Sequence, residues 1–226
     1  MSIEIILQII AIIIPLVFAI TVHEVAHGYV AKGFGDSTAY RQGRLTLNPI
    51  AHIDPVGTII LPALLVYLGG LVFGWAKPVP INPNNFLKPR RAMFFVALAG
   101  PLSNLFMTLL WSLLWLLFSL MISTSSAPSV LDQFIFLMCQ TGIFINLVLM
   151  IFNLLPIPPL DGGRVFRSLV NEKYGRLIDT IEPFGIFIVL GLLFFGLLQP
   201  IFKMVQYITS VSVSYTHLTL PTICSV

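Results

Sequence analysis

The sequence predicts an all-α integral membrane bundle of about five transmembrane helices plus a re-entrant segment at residues 55–76. Of 226 residues, 57% are hydrophobic and only 9% are charged, with a mean hydropathy of +0.96, whereas soluble domains carry roughly 25% charged residues. Charge-free runs then divide the chain into pieces long enough to cross a bilayer, which takes about 20 residues. The net charge of +3 argues against a nucleic-acid partner, and Cys139 and Cys224 are too few for a disulfide framework.

Four of these runs are interpreted as transmembrane helices. A fifth run is interrupted by residues that break helices. The four are residues 5–22, 92–122, 133–160 and 183–202. The fifth, residues 55–76, contains Pro62, Gly69, Gly70 and Gly74. Irregular backbone of this kind is tolerated at membrane depth where protein or a water-filled cavity satisfies its polar groups.

The basic residues predict the topology, because cytoplasmic loops are enriched in Lys and Arg. Three clusters contain eleven of the twelve: Lys32, Arg41 and Arg44; Lys77, Lys88, Arg90 and Arg91; Arg164, Arg167, Lys173 and Arg176. If all three are cytoplasmic, the four helices run inward, outward, inward and outward. Residues 55–76 have basic flanks on both sides, so we interpret them as re-entrant. The alternative is that residues 55–76 form a further full span, which leaves one basic loop on the wrong side.

The end of the sequence resembles a translated sequencing adapter. Residues 213–222 read VSYTHLTLPT, which predicts that the natural reading frame ends near Ser212. We therefore expect a single membrane-embedded domain over residues 1–212, a non-native tail over residues 213–226, and a natural C-terminus that is missing. His217 and Cys224 then carry no functional meaning.

The first predicted helix ends in a candidate metal site, His23-Glu24-Val25-Ala26-His27. Residues four apart lie on one face of a helix, so the two imidazoles can bind one metal ion. Glu24 lies beside that ion and can take a proton from a bound water. Ionisable residues at membrane depth are costly, so three in five positions indicate function. The alternative is a pair of interfacial histidines with Glu24 reaching the headgroups.

A catalytic zinc site usually has three protein ligands and a water, so a third ligand is expected elsewhere in the chain. The candidates are His52 and Asp54 in one loop, and Asp161 after the charge-free run at residues 133–160. This run and the run at residues 5–22 both point inward, which places Asp161 at the depth of the two histidines. Prolines before it end a helix and two glycines after it permit a tight turn. The alternative for Asp161 is an ordinary Asp-Gly loop residue.

Two further elements accompany the HExxH motif. One is Asn153…Pro156-x-Pro158-x-x-Asp161-Gly162, and the other, between the two motifs, is Gly100-Pro101-x-x-Asn104. Together they resemble the site-2 protease family of intramembrane zinc metalloproteases, over residues 22–167. No loop is long enough for the PDZ domain of some members, and residues 43–49 resemble a loop of the PDZ-less branch.

The resemblance implies a zinc metalloendopeptidase that hydrolyses peptide bonds of membrane-spanning substrates. It implies Zn²⁺ as cofactor with His23, His27 and Asp161 as ligands, a zinc-activated water, and Glu24 as the general base. It also implies that Asn153 contacts the substrate backbone or the intermediate. The expected partners are a transmembrane protein substrate and the lipid bilayer, in the plasma membrane of a prokaryote, with the active site near the cytoplasmic face. An unwound substrate strand could pair with the backbone of residues 55–76.

Two interpretations of His52 and Asp54 stay open: support for a metal ligand or a pH-sensitive latch, or local turn hydrogen bonds. Three other functions fit the sequence less well. Another HExxH family takes a glutamate as third ligand, but Glu172 and Glu182, the later glutamates, follow no suitable motif. A catalytically inactive relative that binds or sequesters membrane segments is disfavoured by the intact Glu24. An ion pathway is weaker still, because the polar residues gather at one side of the membrane.

Overall fold

The computed structural model describes residues 3–67, 74–122 and 129–218, and this part of the chain is helical, with no β-strand. Its α-helices are α1 (Ile3–Gly33), α2 (Thr38–Arg41), α3 (Leu61–Tyr67), α4 (Pro89–Ile122), α5 (Val130–Asn153), α6 (Asp161–Leu169), α7 (Glu172–Ile181), α8 (Gly185–Phe194) and α9 (Gln199–Leu218). The predicted all-α membrane architecture is confirmed.

Three long helices, α1, α4 and α5, pack against one another and form the centre of the bundle. Fully buried alanines on α1, among them Ala11 and Ala19, allow close approach of its neighbours. The main apolar cluster combines Trp111 and Trp115 of α4 with Ile143 of α5 and closes on α9. The outer faces of the same helices expose many leucine and isoleucine side chains, which suits a surface that contacts lipid rather than water.

Four helical stretches of the described residues are long and apolar enough to cross a bilayer: Ile5–Gly33, Pro89–Ile122, Val130–Asn153 and Glu172–Phe194. The predicted count of five spans is therefore not confirmed. Residues 183–202 do not form one helix, because Gly196, with a φ of 70°, follows α8 in a left-handed conformation that ends it. Residues 133–160 are helical only as far as Asn153, since the prolines from Pro156 onward cannot continue α5.

The segment at residues 55–76 enters and leaves at the same place in the fold. It begins with a π-helical turn (Pro55–Ile60) followed by α3, which at seven residues is about 10 Å long against about 30 Å of hydrocarbon. The N–H of Trp75 donates to the Gly57 carbonyl at 3.1 Å, so the two ends meet. The re-entrant interpretation predicts this arrangement; residues 68–73 lie outside the described residues.

Asp36 ties the loop after α1 to the loop before α4. Its buried carboxylate accepts hydrogen bonds from the backbone N–H groups of Thr38 (3.0 Å) and Asn82 (2.7 Å) and from Nδ2 of Asn85 (2.7 Å). Burial by itself raises the pKa of Asp36, but a hydrogen bond from the Thr38 hydroxyl, together with the three above, prevails and lowers it. The loop before α4 is thereby held against the end of α1.

α6 is anchored at its far end from both sides. Arg90 of α4 donates to the carbonyls of Ser168 and Val170, and Arg167 binds Asp179 of α7, with Nε 2.8 Å from Oδ1. The hydrogen bond to Asp179 is the main cause that raises the pKa of Arg167. These contacts orient the short helix whose first residue is Asp161. The predicted tail, residues 213–226, stays a prediction: α9 continues to Leu218, and residues 219–226 lie outside the described residues.

Candidate active site

His23 and His27 project from one face of α1 towards Asp161, which begins α6. All three side chains are buried. The Nε2 atoms of the two histidines are 3.1 Å apart, and Oδ2 of Asp161 lies 3.1 Å from Nε2 of His23 and 3.2 Å from Nε2 of His27. In the described part of the chain, no other group of three His, Cys, Asp or Glu side chains converges in this way. The structure thus brings together the three residues that the sequence nominated from distant positions.

The turn between α5 and α6 aims the carboxylate of Asp161 at the histidines. After Asn153 the chain turns back on itself through hydrogen bonds such as Ile157 N–H to the Leu155 carbonyl at 2.7 Å. Gly162 fits against the Leu154 and Leu155 carbonyls, where a Cβ atom would collide with both. A glycine directly after Asp161 is therefore a condition for this turn to close.

The outer nitrogen of each histidine ring faces a carbonyl oxygen. Nδ1 of His27 is 2.6 Å from the Val96 carbonyl, and Nδ1 of His23 is 2.5 Å from Oδ1 of Asn104. Carbonyl oxygens only accept hydrogen bonds, so each Nδ1 carries a proton and donates it. In the neutral imidazoles, each Nε2 then has a free lone pair directed at the centre of the cluster.

These donor atoms fit a zinc ion. Three lone-pair atoms 3.1–3.2 Å apart in a buried site repel one another unless a cation or an added proton lies between them. Zinc binds His nitrogen and carboxylate oxygen at about 2.0–2.2 Å in tetrahedral geometry, which places its ligand atoms about 3.3 Å apart. Two neutral imidazoles and one carboxylate are also among the ligand types of catalytic zinc sites.

Glu24 lies next to His23 on α1 and is held from the opposite chain segment. Its Oε2 accepts a hydrogen bond of 2.8 Å from the backbone N–H of Val79. Val79 belongs to residues 74–82, here called the connecting segment, which runs from the re-entrant segment towards α4. Pro78 and Pro80 on either side have no N–H, so Val79 supplies the one amide donor of these three residues.

Comparison with known proteins shows the family of this chain. Residues 118–196 match the model of peptidase family M50. The protein named "Putative zinc metalloprotease YwhC" of Bacillus subtilis is 46% identical over 187 residues, which cover 80% of this chain and 78% of that protein. The chain belongs to peptidase family M50, the site-2 proteases. It is a membrane zinc metalloprotease, and Zn²⁺ is its cofactor.

More distant relatives of this M50 protease have similar names. "Putative zinc metalloprotease Rip2" of Mycolicibacterium smegmatis is 29% identical over 77% of the chain, and "Zinc metalloprotease MJ0392" of Methanocaldococcus jannaschii is 26% identical over 82%. The chain spans 63% of the first and 42% of the second. No solved structure matches the chain.

The remaining candidate residues have local contacts. Asn153, half-buried in the last turn of α5, donates from Nδ2 to the Leu149 carbonyl at 2.9 Å. Oδ1 of Asp54 caps the π-helical turn by accepting from Gly57 N–H at 2.7 Å. Nε2 of His52, which is buried, lies 2.9 Å from the Thr46 carbonyl. The described contacts of His52 and Asp54 match the turn interpretation; support of a metal ligand stays a prediction.

Two features of the site escaped the sequence interpretation. The backbone N–H of Val79 has no signature in a side-chain pattern, so nothing nominated it. The other is Asn146 of α5, which belongs to none of the motifs, is fully buried and accepts a hydrogen bond from Asn104. The sequence could have indicated Asn146, since an amide in an otherwise apolar helix is costly unless it has partners. The sequence alone does not show that its partner is Asn104.

Proposed function

We propose that this protein is an intramembrane endopeptidase that cuts membrane-spanning substrates, with His23, His27 and Asp161 as the zinc ligands and Glu24 as the general base. The convergence of the three ligand atoms at 3.1–3.2 Å in a buried site supports it. Zinc held there would lower the pKa of a bound water to about 7 and polarise the scissile carbonyl.

Glu24 is the proposed proton carrier. Glu24 directly follows His23 on α1, and the Val79 N–H holds its Oε2 at 2.8 Å. A carboxylate in this position takes a proton from the attacking water and delivers it to the nitrogen of the leaving amine. One side chain then serves both steps, first as base and then as acid.

Asn153 is the proposed substrate contact. One hydrogen of its Nδ2 is donated to the Leu149 carbonyl, which leaves Oδ1 and the second amide hydrogen for a substrate backbone. The residue stands at the end of α5, on the turn that leads to Asp161, so a peptide bound at the metal passes close to this turn.

A membrane-spanning substrate must unwind before it is cut, because a helix uses its amides in internal hydrogen bonds. The sequence assigned the pairing of the unwound strand to residues 55–76; the end of that segment and the connecting segment that continues it are the proposed place. The N–H groups of Trp75, Lys77 and Val79 bond to the Gly57 and His52 carbonyls and to Glu24. Since Pro78 and Pro80 have no N–H, pairing there uses carbonyls of the segment and N–H groups of the substrate.

The proposed location of the site is the cytoplasmic face of a prokaryotic plasma membrane. The support is the distribution of charge around it. Lys32 follows the metal ligands on α1, Arg90 and Arg91 begin α4, and Arg164 lies one turn after Asp161. The positive-inside rule assigns such a basic end of a bundle to the cytoplasm.

The decisive experiment compares zinc content and cleavage of a model transmembrane substrate for the wild type and Glu24→Gln. We expect Glu24→Gln to retain zinc and to lose activity by about 10²–10⁴-fold, the usual contribution of a general base. Glu172→Gln, which removes an exposed carboxylate that pairs with Arg167, is the matched control and retains activity. Zinc binding with equal cleavage, or none, in both wild type and Glu24→Gln would instead favour an inactive relative that binds membrane segments.

A further inference from the structure

Two asparagines are fully buried where α1, α4 and α5 meet. Asn104 of α4 and Asn146 of α5 each have no exposed surface. A buried amide without partners is costly, and these two are paired instead. Nδ2 of Asn104 donates to Oδ1 of Asn146 at 2.9 Å, and Nδ2 of Asn146 donates to the Gly142 carbonyl at 2.8 Å.

These hydrogen bonds have a single direction, set by a group that can only accept. The Gly142 carbonyl requires the nitrogen of Asn146 to face it, so the oxygen of Asn146 faces Asn104. The nitrogen of Asn104 must then point to Asn146, where the Ala19 carbonyl is a second acceptor at 3.4 Å. The oxygen of Asn104 is thereby turned to Nδ1 of His23 at 2.5 Å.

We propose that Asn146 is a positioning residue for the metal site, which acts through Asn104 to hold the His23 proton on Nδ1. This role rests on the proposed assignment of His23 as a zinc ligand through Nε2. With the proton on Nδ1, Nε2 keeps the lone pair that a metal requires. The chain of hydrogen bonds from the Gly142 carbonyl to His23 is here called the asparagine relay.

The second histidine does not depend on such a relay. Nδ1 of His27 faces the Val96 carbonyl, a backbone group that cannot exchange donor for acceptor. Oδ1 and Nδ2 of Asn104, by contrast, exchange places when the amide rotates by half a turn. Asn146 prevents that rotation, because after it two carbonyl oxygens would face each other. One ligand is therefore oriented by backbone and the other by a side chain from a third helix.

Removal of Asn146 allows the amide of Asn104 to present its nitrogen to His23. Nδ1 of His23 then has to accept a hydrogen bond, which moves the ring proton to Nε2 and blocks metal binding there. Partial occupation of this state weakens zinc binding without removing any ligand. The effect reaches the metal across two residues that do not touch it.

The test measures zinc affinity by competition with a chelator, and the absorption spectrum of the Co²⁺-substituted protein. We expect Asn146→Leu, of similar volume, to bind zinc about 10–100-fold more weakly, as is typical for loss of a partner behind a metal ligand, and to change the Co²⁺ spectrum. Asn146→Asp should stay within about threefold of wild type, because burial beside the Gly142 carbonyl, with no cation among the described hydrogen-bond partners, keeps the carboxyl protonated, so that it both donates and accepts as the amide does. Cys139→Ala, a buried residue two turns earlier on α5, controls for packing loss and leaves affinity unchanged.

Wild-type affinity in Asn146→Leu would overturn the proposal, as would an equal loss in Asn146→Asp. If Asn146→Leu does not fold, the proposal is tested by the NMR spectrum of the zinc-loaded wild type with ¹⁵N-labelled histidine, which shows which ring nitrogen of His23 carries the proton. A protonated, slowly exchanging Nδ1 on His23 supports the relay, and metal bound through Nδ1 contradicts it. These measurements need no substrate, so failure of the relay is distinct from failure of the proposed proteolysis, which the Glu24→Gln comparison tests.

Discussion

The carboxylate of Glu24 accepts a 2.8 Å hydrogen bond from the backbone N–H of Val79. This contact joins the helix with the HExxH motif to the connecting segment, 55 positions further along the chain. Hydrogen bonds on either side of Val79 hold the same segment in place. Lys77 N–H donates to the His52 carbonyl at 2.9 Å, and Asn82 N–H donates to the carboxylate of Asp36. The proposed general base is therefore positioned by backbone that is itself fixed to the scaffold.

Substitution of Val79 tests that relationship. Val79→Pro removes the N–H and leaves Glu24 without this donor, so we expect kcat to fall by roughly 10–150-fold, which is equivalent to the contribution of about 1.5–3 kcal/mol from one hydrogen bond to a charged group. Zinc content should be unchanged. Val79→Ala keeps the N–H and controls for the lost side chain. Equal kcat in both variants would show that the hydrogen bond has no part in the reaction.

Gly100 of α4 lies directly against the imidazoles of His23 and His27, where a Cβ atom would collide with both rings. We expect Gly100→Ala to displace at least one ring and to reduce zinc content to a small fraction of the wild-type value, as measured on the purified protein by atomic absorption. Gly191→Ala is the matched control, because a Cβ atom at Gly191 of α8 meets no atom within 4 Å. A full complement of zinc in Gly100→Ala would contradict the close approach of α4 to the metal ligands.

The third-ligand assignment predicts a loss of metal on removal of one carboxylate. Asp161→Ala should weaken zinc binding by more than about 100-fold, since a first ligand matters at least as much as the groups behind it. Asp54→Ala is the contrasting variant: it removes a cap of the π-helical turn, which costs about 1 kcal/mol of stability. The turn interpretation of Asp54 predicts intact zinc affinity in this variant, and a loss would instead favour support of a metal ligand. Full zinc retention in Asp161→Ala would redirect the assignment to His52.

The hydrogen bonds of Asp36 predict a pH-dependent contribution to stability. Its folded pKa is lower than the ordinary value of 3.8, so the stabilisation is complete above that value and is lost as the pH falls through the folded pKa. Asp36→Asn should lower the free energy of unfolding by about 1–3 kcal/mol at about pH 7, and the difference from wild type should shrink below about pH 4. Thermal unfolding of both proteins across this range measures it. A difference that grows on acidification would contradict the sign.

Much of the fold followed from local pattern. The cores of α1, α4 and α5 are visible as charge-free runs because the bilayer imposes both length and composition on a spanning helix. Helix ends were less accessible. The sequence predicted one span over residues 183–202, but the left-handed turn at Gly196 divides it, and glycine permits such a turn without requiring it.

The sequence by itself nominated His23, Glu24 and His27: four-residue spacing on a helix puts the two histidines on one face, and the HExxH motif supplies Glu24 between them. For the third ligand it offered His52, Asp54 and Asp161, and it favoured Asp161 first by topology and then by family resemblance. Only the tertiary structure brings Oδ2 of Asp161 within 3.2 Å of both rings and shows the contacts of Asn146 and Val79 with the site. Those contacts join residues 42 and 55 positions apart, and helix packing, rather than local spacing, decides which distant groups meet.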